Sequence, residues 1–392
     1  MTGFDSSRER HAMRTAYISS IATCILAALT TVADAGSWEF GPPMPTPKSD
    51  NFAVNHNGDV YVIGGLPWAN RDEDGTVYKL ADGAWTEVAP LIGLGPVVGQ
   101  GGGVDGLNQI IVFGGLTTPE GDIAEGRSYD PIEGTDFTVP TSNQPPINFG
   151  LAVDGEGRIY RIGGGPGASG FNGGGVVRYV SATNSWEQVA SLPFTRASIA
   201  SAYDGLGHIW CFGGYTSFGV FRLKDTARYT VATDTWENMG AVFFPIATSN
   251  GEAVLGADGL LYIIGGFEGT TGTTTSATVR IIDPNAVDPV LIAGPSLNVG
   301  RHDFVAALGD DGYIYVMGGY DASGAAIASV ERLFTGAASL TGDIDNDGDV
   351  DAADLATLLG SWDLCAGCPA DLNGDGAVNA SDLAVLLGAW TG

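Results

Sequence analysis

Basic residues are scarce in this chain. Only 17 Lys and Arg stand against 45 Asp and Glu, a net charge of −28. So negative a chain repels phosphate, which excludes nucleic acid as a partner. It suits a solvated extracellular protein or one that binds cations. Charged residues of either sign make up just 16 % of the chain, while apolar residues reach 44 % and supply a sizeable core. Histidine is rarer still. Beyond residue 35 only His56, His208 and His302 occur, far apart in sequence, which points to structural or solvated roles. Cysteine is limited to Cys24, Cys211, Cys365 and Cys368. No second Cys or His pair accompanies Cys365 and Cys368, so a zinc site has no support. These two are close enough to pair with each other, and Cys211, inside an apolar strand, reads as a buried free thiol. No segment after residue 35 is long and apolar enough to cross a bilayer.

The N-terminus reads as an export signal. Arg8, Arg10 and Arg14 precede an apolar run from Ala16 to Val32, and Ala33-Asp34-Ala35 is a small-x-small cleavage site. The expected cut follows Ala35, and Met13 is an alternative start. A retained membrane helix and a lipoprotein cut at Cys24 compete with this reading; the run is short for the first and continues past Cys24 for the second. Export places the chain outside the cell or on its surface and permits disulfides.

Glycine is what the chain has in plenty, 60 residues of 392. Helical proteins avoid that much glycine and turn-rich all-β proteins need it. The glycines are ordered. A doublet follows an aromatic-aliphatic strand six times, at Gly64-Gly65, Gly114-Gly115, Gly163-Gly164, Gly213-Gly214, Gly265-Gly266 and Gly318-Gly319. Successive doublets lie 50, 49, 50, 52 and 53 residues apart. Each strand before a doublet follows a tight turn such as Asn57-Gly58-Asp59. A Tyr-containing strand comes next, as at Tyr179 or Tyr229, and then a strand opened by Trp85, Trp186 or Trp236. Phe137 replaces Trp in one copy, and the fifth copy has no aromatic near Val290. Four short strands cannot bury both faces alone, so such units stack radially. The sixth copy ends at Leu333 without a Trp strand, while Trp38-Glu39-Phe40 precedes the first. The N-terminal strand should therefore complete the last sheet.

Hydrophobic strand, Gly-Gly, Tyr strand and Trp together resemble the kelch family, over about residues 36–336. The resemblance implies a six-bladed all-β propeller. It also implies that loops after the doublets and between the blades gather on one face. Those loops hold Trp68, Arg71, Arg196, Tyr215, Phe218, Phe267, Arg301, His302 and Tyr320. Aromatic rings there would stack on sugar faces or apolar side chains, and the arginines would pair with an anionic ligand. The plainer reading of Arg196 and Arg301 is that they bond carbonyls joining the blades.

After a short linker, 337–341, two near-copies end the chain, offset by 28 residues. Their spacing is that of a twelve-residue calcium loop. The first offers Asp343, Asp345, Asp347, Asp349 through its carbonyl, Asp351 and Asp354. The second offers Asp371, Asn373, Asp375, Ala377 through its carbonyl, Asn379 and Asp382. Gly348 and Gly376 stand at the sharp turn. Each loop runs into a helix whose Leu355, Leu358, Leu359 and Trp362, or Leu383, Leu386, Leu387 and Trp390, form one apolar face. Residues 342–392 resemble the type I dockerin family, which implies a small all-α module, two calcium ions and a cohesin partner. At loop positions 10 and 11, where many dockerins carry a Ser-Thr-like pair, this chain has Ala352-Ala353 and Ala380-Ser381.

No catalytic residues are assigned. Cys211 and the scattered histidines do not make a galactose-oxidase-like copper centre. The leading expectation is a secreted, non-catalytic protein whose propeller recognises a glycan or protein and whose calcium-dependent module docks it to a cohesin-bearing scaffold or surface. The alternative is a carbohydrate-active hydrolase or epimerase of polysaccharide catabolism, targeted by the same module.

Overall fold

A computed structural model describes residues 36–65, 76–90, 99–117, 121–122, 126–131, 136–140, 142, 147–165, 173–216, 221–240, 242, 244–270, 274–336, 342, 344, 350–364, 368–373 and 376–390. The expected export signal, the linker, Trp68, Arg71, Phe218, Cys365 and five loop positions (Asp343, Asp345, Asp347, Asp349 and Asp375) lie outside the described residues.

Alternating strand patterns and tight turns fold into six four-stranded antiparallel sheets. Sheet 1 comprises Phe52–His56, Asp59–Ile63, Val77–Ala81 and Ala84–Val88. Sheets 2 to 5 repeat that order, with first strands Gly101–Val104, Gly150–Val153, Ala200–Tyr203 and Glu252–Leu255. Sheet 6 takes Val305–Leu308, Tyr313–Met317 and Val330–Phe334 from one end of the body and Glu39–Phe40 from the other. Glu39 lies opposite Arg332 and Phe40 opposite Glu331, so the N-terminal strand does complete the last sheet. First strands neighbour one another in sequence order, and that of sheet 6 neighbours that of sheet 1. The architecture is all-β and propeller-like.

Polar groups stitch each sheet to the one before it. Four indoles donate to a carbonyl just past the preceding outer strand: Trp38 to Pro295, Trp85 to Pro42, Trp186 to Pro140 and Trp236 to Ala190, at 2.7–2.9 Å. In sheet 2, where the sequence has Phe137 in place of Trp, the Tyr129 hydroxyl donates to Ala89 at 2.6 Å instead. The doublets work at the other end of the seam. Gly319 has φ +87° and donates to the Lys48 carbonyl at 2.8 Å. A Cβ on Gly318 would come within 2.3 Å of that same oxygen, so no other residue fits.

The C-terminal region has its own small core of Val350, Leu358, Val378 and Leu386. Two helices, α1 (Ala352–Gly360) and α2 (Ala380–Gly388), start at Asp351 and Asn379. Each N-cap forms a reciprocal capping box, with Asp354 and Asp382 respectively. The apolar faces divide: Leu358 and Leu386 are buried, whereas Leu359, Trp362, Leu387 and Trp390 are exposed. Nine-residue helices are too short to wrap four such side chains onto so small a core.

Candidate functional site

The six first strands surround a cavity of about 560 Å³. Two residues before each first strand the backbone turns left-handed, at Asp50, Gly99, Asn148, Ser198, Asn250 and Asp303, with φ between 49° and 68°. Aspartate and asparagine tolerate this conformation better than most residues. Amide N–H groups link these positions around the cavity mouth. Asp50 donates to Asp303, Gly99 to Asp50, Ser198 to Asn148, Asn250 to Ser198 and Asp303 to Asn250, at 2.7–3.2 Å. This ring was not singled out from the sequence. Its signal is nevertheless there, as Asp, Asn, Ser or Gly recurring at the doublet period.

Three carboxyl groups gather at the mouth. The Asn250 amide donates to Asp303 at 2.7 Å. Asp50 takes hydrogen bonds from the Ser49 hydroxyl at 3.0 Å and from the Tyr320 hydroxyl. Burial lifts the Asp303 acid to about 7, helped by the neighbouring Asp50 charge and opposed by Asn250. Burial also raises Asp50, against the bonds from Ser49 and Tyr320. Glu252 opens the first strand of sheet 5, where the other sheets carry Phe52, Gly101, Gly150, Ala200 and Val305. Burial, with Asp303 adding to it, pushes Glu252 up to about 8. Asp303 and Glu252 therefore hold protons near neutrality, and each can then both donate and accept a hydrogen bond.

Aromatic rings flank the acids. His302 lies 3.9 Å from Phe267 and 5.4 Å from Tyr320, centroid to centroid. Backbone bonds in both directions hold His302 against Tyr320. The Arg222 guanidinium covers Phe267 at 5.0 Å. Burial, together with the Arg222 charge, lowers His302 to about 4, so its ring is neutral and its 3.8 Å approach to Asp303 is not an ion pair. Tyr215 is half-buried and pairs with Ala197 and Arg222 through its backbone.

Arg196 and Arg301 do not belong to a ligand face. Both are fully buried. Arg196 donates to the Gly213 carbonyl at 3.2 Å and to Asp225 at 2.5 Å. Arg301 donates to the Gly318 and Ser329 carbonyls, at 3.1 and 2.9 Å, and to Glu331 at 2.6 Å. The expectation that they face an anionic ligand is corrected accordingly. Lys48 does the same at sheet 1, donating to Gly64 at 3.1 Å and to Thr76 at 2.6 Å. Buried cations of this kind lock the doublets in place.

In the C-terminal region the described loop positions are Asp351, Asp354, Asp371, Asn373, Ala377, Asn379 and Asp382. Asp354 and Asp382 are fully buried. Asp354 accepts from the amides of Ile344 at 2.6 Å and Asp351 at 2.9 Å. Asp382 accepts from Asn373 at 3.1 Å and Asn379 at 2.8 Å, and these bonds outweigh desolvation to lower its pKa. Across the turn, the Gly376 amide donates to Asp371 at 2.9 Å, and Gly376 has φ +89°. Both loop ends are thus drawn toward their last carboxylate, and the donor set is all oxygen, which fits a hard cation. Cys368 is disulfide-bonded, and Cys211 is a buried free thiol, pushed up to about 12 by its surroundings. Among the described residues no helix is long and apolar enough to cross a membrane.

No family model matches the chain. No curated protein matches it either. A solved structure titled "Structure of YjhT" is similar, with a TM-score of 0.61 and 18 % identity, over 74 % of this chain and 95 % of that one. At that identity the likeness speaks for the fold alone.

Proposed function

We propose that the protein is a secreted binding protein in which a six-bladed kelch-type propeller takes a glycan at its channel mouth. Its dockerin-like C-terminal module then docks it, in a calcium-dependent way, to a cohesin-bearing partner. One observation carries the glycan reading. The buried acids Asp50, Asp303 and Glu252, the last two holding protons near neutrality, adjoin the packed rings of His302, Phe267 and Tyr320. Carboxyl and amide groups bond sugar hydroxyls, and a ring face packs on the apolar side of a sugar. With Arg196 and Arg301 buried, a neutral glycan suits this mouth better than an acidic one.

The module's residues would hold calcium through Asp343, Asp345, Asp347, the Asp349 carbonyl, Asp351 and Asp354, and through Asp371, Asn373, Asp375, the Ala377 carbonyl, Asn379 and Asp382. Calcium, when bound, supplies the charge that gathers these oxygens around one point. The chain's own contribution is the turn at Gly376 and the paired capping boxes, which orient the last carboxylate of each loop.

Screening plant and algal glycans, followed by titration calorimetry, tests the mouth. The Asp50→Asn, Asp303→Asn double variant should weaken binding at least tenfold while the folded state persists. Undiminished binding would move the ligand elsewhere. Asp303 and Glu252 favour a second reading, a carbohydrate-active enzyme, because carboxyl groups titrating near neutrality are suited to proton transfer. Turnover of a bound glycan would select that reading.

A further inference from the structure

Two residues before each doublet stand Val62, Val112, Arg161, Cys211, Ile263 and Val316. Five are apolar and buried. Arg161 is equally buried, 2 % exposed, yet carries a charge. It belongs to the second strand of sheet 3, Ile159–Ile162. Its side chain shares a face with Ile159, which packs on Ile111, Phe113 and Val139 of sheet 2. The guanidinium lies over the Phe149 ring at 4.8 Å and, among the described residues, donates to the Ser142 hydroxyl at 2.8 Å. Its Nε and Nη2 are buried without a hydrogen-bond partner.

The other fully buried arginines show how this chain satisfies such a charge. Arg196 has Asp225, and Arg301 has Glu331. Arg161 has no acid partner among the described residues, and the acids just before it in sequence, Asp154 and Glu156, bond Arg158 instead. No Asp or Glu occurs from residue 137 to 153 or from 157 to 186, in a chain with 45 of them. Burial with no counter-charge depresses the guanidinium to about 9. A buried charge without a partner is costly, and an anion from solution removes that cost. Phe149, which covers the guanidinium, also lines the central cavity.

We propose that the seam between sheets 2 and 3 binds a small carboxylate anion on Arg161 and Ser142. The planar fork of two free N–H groups matches the two oxygens of a carboxylate, with the Ser142 hydroxyl beside it. This site is separate from the channel mouth and does not depend on what the mouth binds.

The test is thermal melting of the full chain in rising sodium acetate, with wild type and Arg161→Met measured side by side so that general salt effects cancel. Wild type should gain a saturable rise of about 3 °C, as for any ligand that binds only the folded state. The variant should lack it. Sodium glucuronate is the second probe. If it acts like acetate, the seam accepts the acid group of a sugar; if acetate acts alone, it accepts only a free small carboxylate. Either result supports the site. Parallel responses of wild type and variant would overturn it. Should Arg161→Met not fold, line broadening of 13C-acetate on wild type decides the matter, and its absence would also overturn the site.

Discussion

Both the β-sheet body and the C-terminal region are built by internal repetition, but they complete themselves differently. In the body, repetition closes on itself. Sheet 6 borrows its last strand from the N-terminus. Trp indoles and doublet amides find their partners on the neighbouring copy, and buried cations brace the doublet of the copy they lead into. The acidic region has two copies, a core of six buried side chains and carboxylates that outnumber any local cation. Its last loop carboxylates, Asp354 and Asp382, instead accept backbone amides within their own copy. Repetition thus joins copy to copy in one region, and in the other we propose that it leaves each copy to be completed by a cation.

The sharpest way to break the first half of this contrast is Glu331→Ala. Glu331 is fully buried, neutralises Arg301 and accepts the amides of Asn298 and Val299. Removing one partner of a buried pair typically costs about 3–5 kcal/mol. Calorimetry of the full chain should show the body's transition falling sharply while that of the C-terminal region stays put. A body that melts unchanged would mean that the seams do not depend on their buried cations.

A smaller effect sharpens the picture at the mouth. Asp303 is raised from 3.8 to about 7 by burial, so its protonated form is the one the fold favours. The stability this group contributes is complete below its unfolded pKa and is lost as pH rises through about 7. Asp303→Asn should therefore flatten the pH dependence of the body's melting between pH 5 and 8. It should stabilise the body at pH 8 by at least about 1 kcal/mol, the worth of one pKa unit. An unaltered pH profile would show that the acid is solvated and ionised throughout.

Much of the body was legible because its constraints are local and periodic. A doublet pressed against a neighbouring carbonyl admits nothing but glycine, and a Trp whose indole reaches the preceding sheet recurs in four of the six sheets. Closure by Trp38 could be read from a missing strand. The roles of Arg196 and Arg301 could not, because an arginine in a loop looks the same in sequence whether it faces solvent or turns inward to Asp225 or Glu331. Asp50 and Asp303 were not singled out, because only the convergence of first strands brings them together. The division of the leucines escaped the periodicity because a helical face fixes direction, not the extent of what covers it. Tyr129 replacing an absent indole is a compensation between strands, which pattern alone does not reveal.

The contrast between the two regions is tested most directly by adding a calcium chelator to the full chain and following each region by hydrogen exchange. A small domain rich in carboxylates folds on its metal, so metal removal should unfold it. The account predicts that amides of α1 and α2 lose protection on chelation and regain it when calcium is restored, while the amides of the six sheets are unaffected. Continued protection of both helices in the presence of chelator would contradict it.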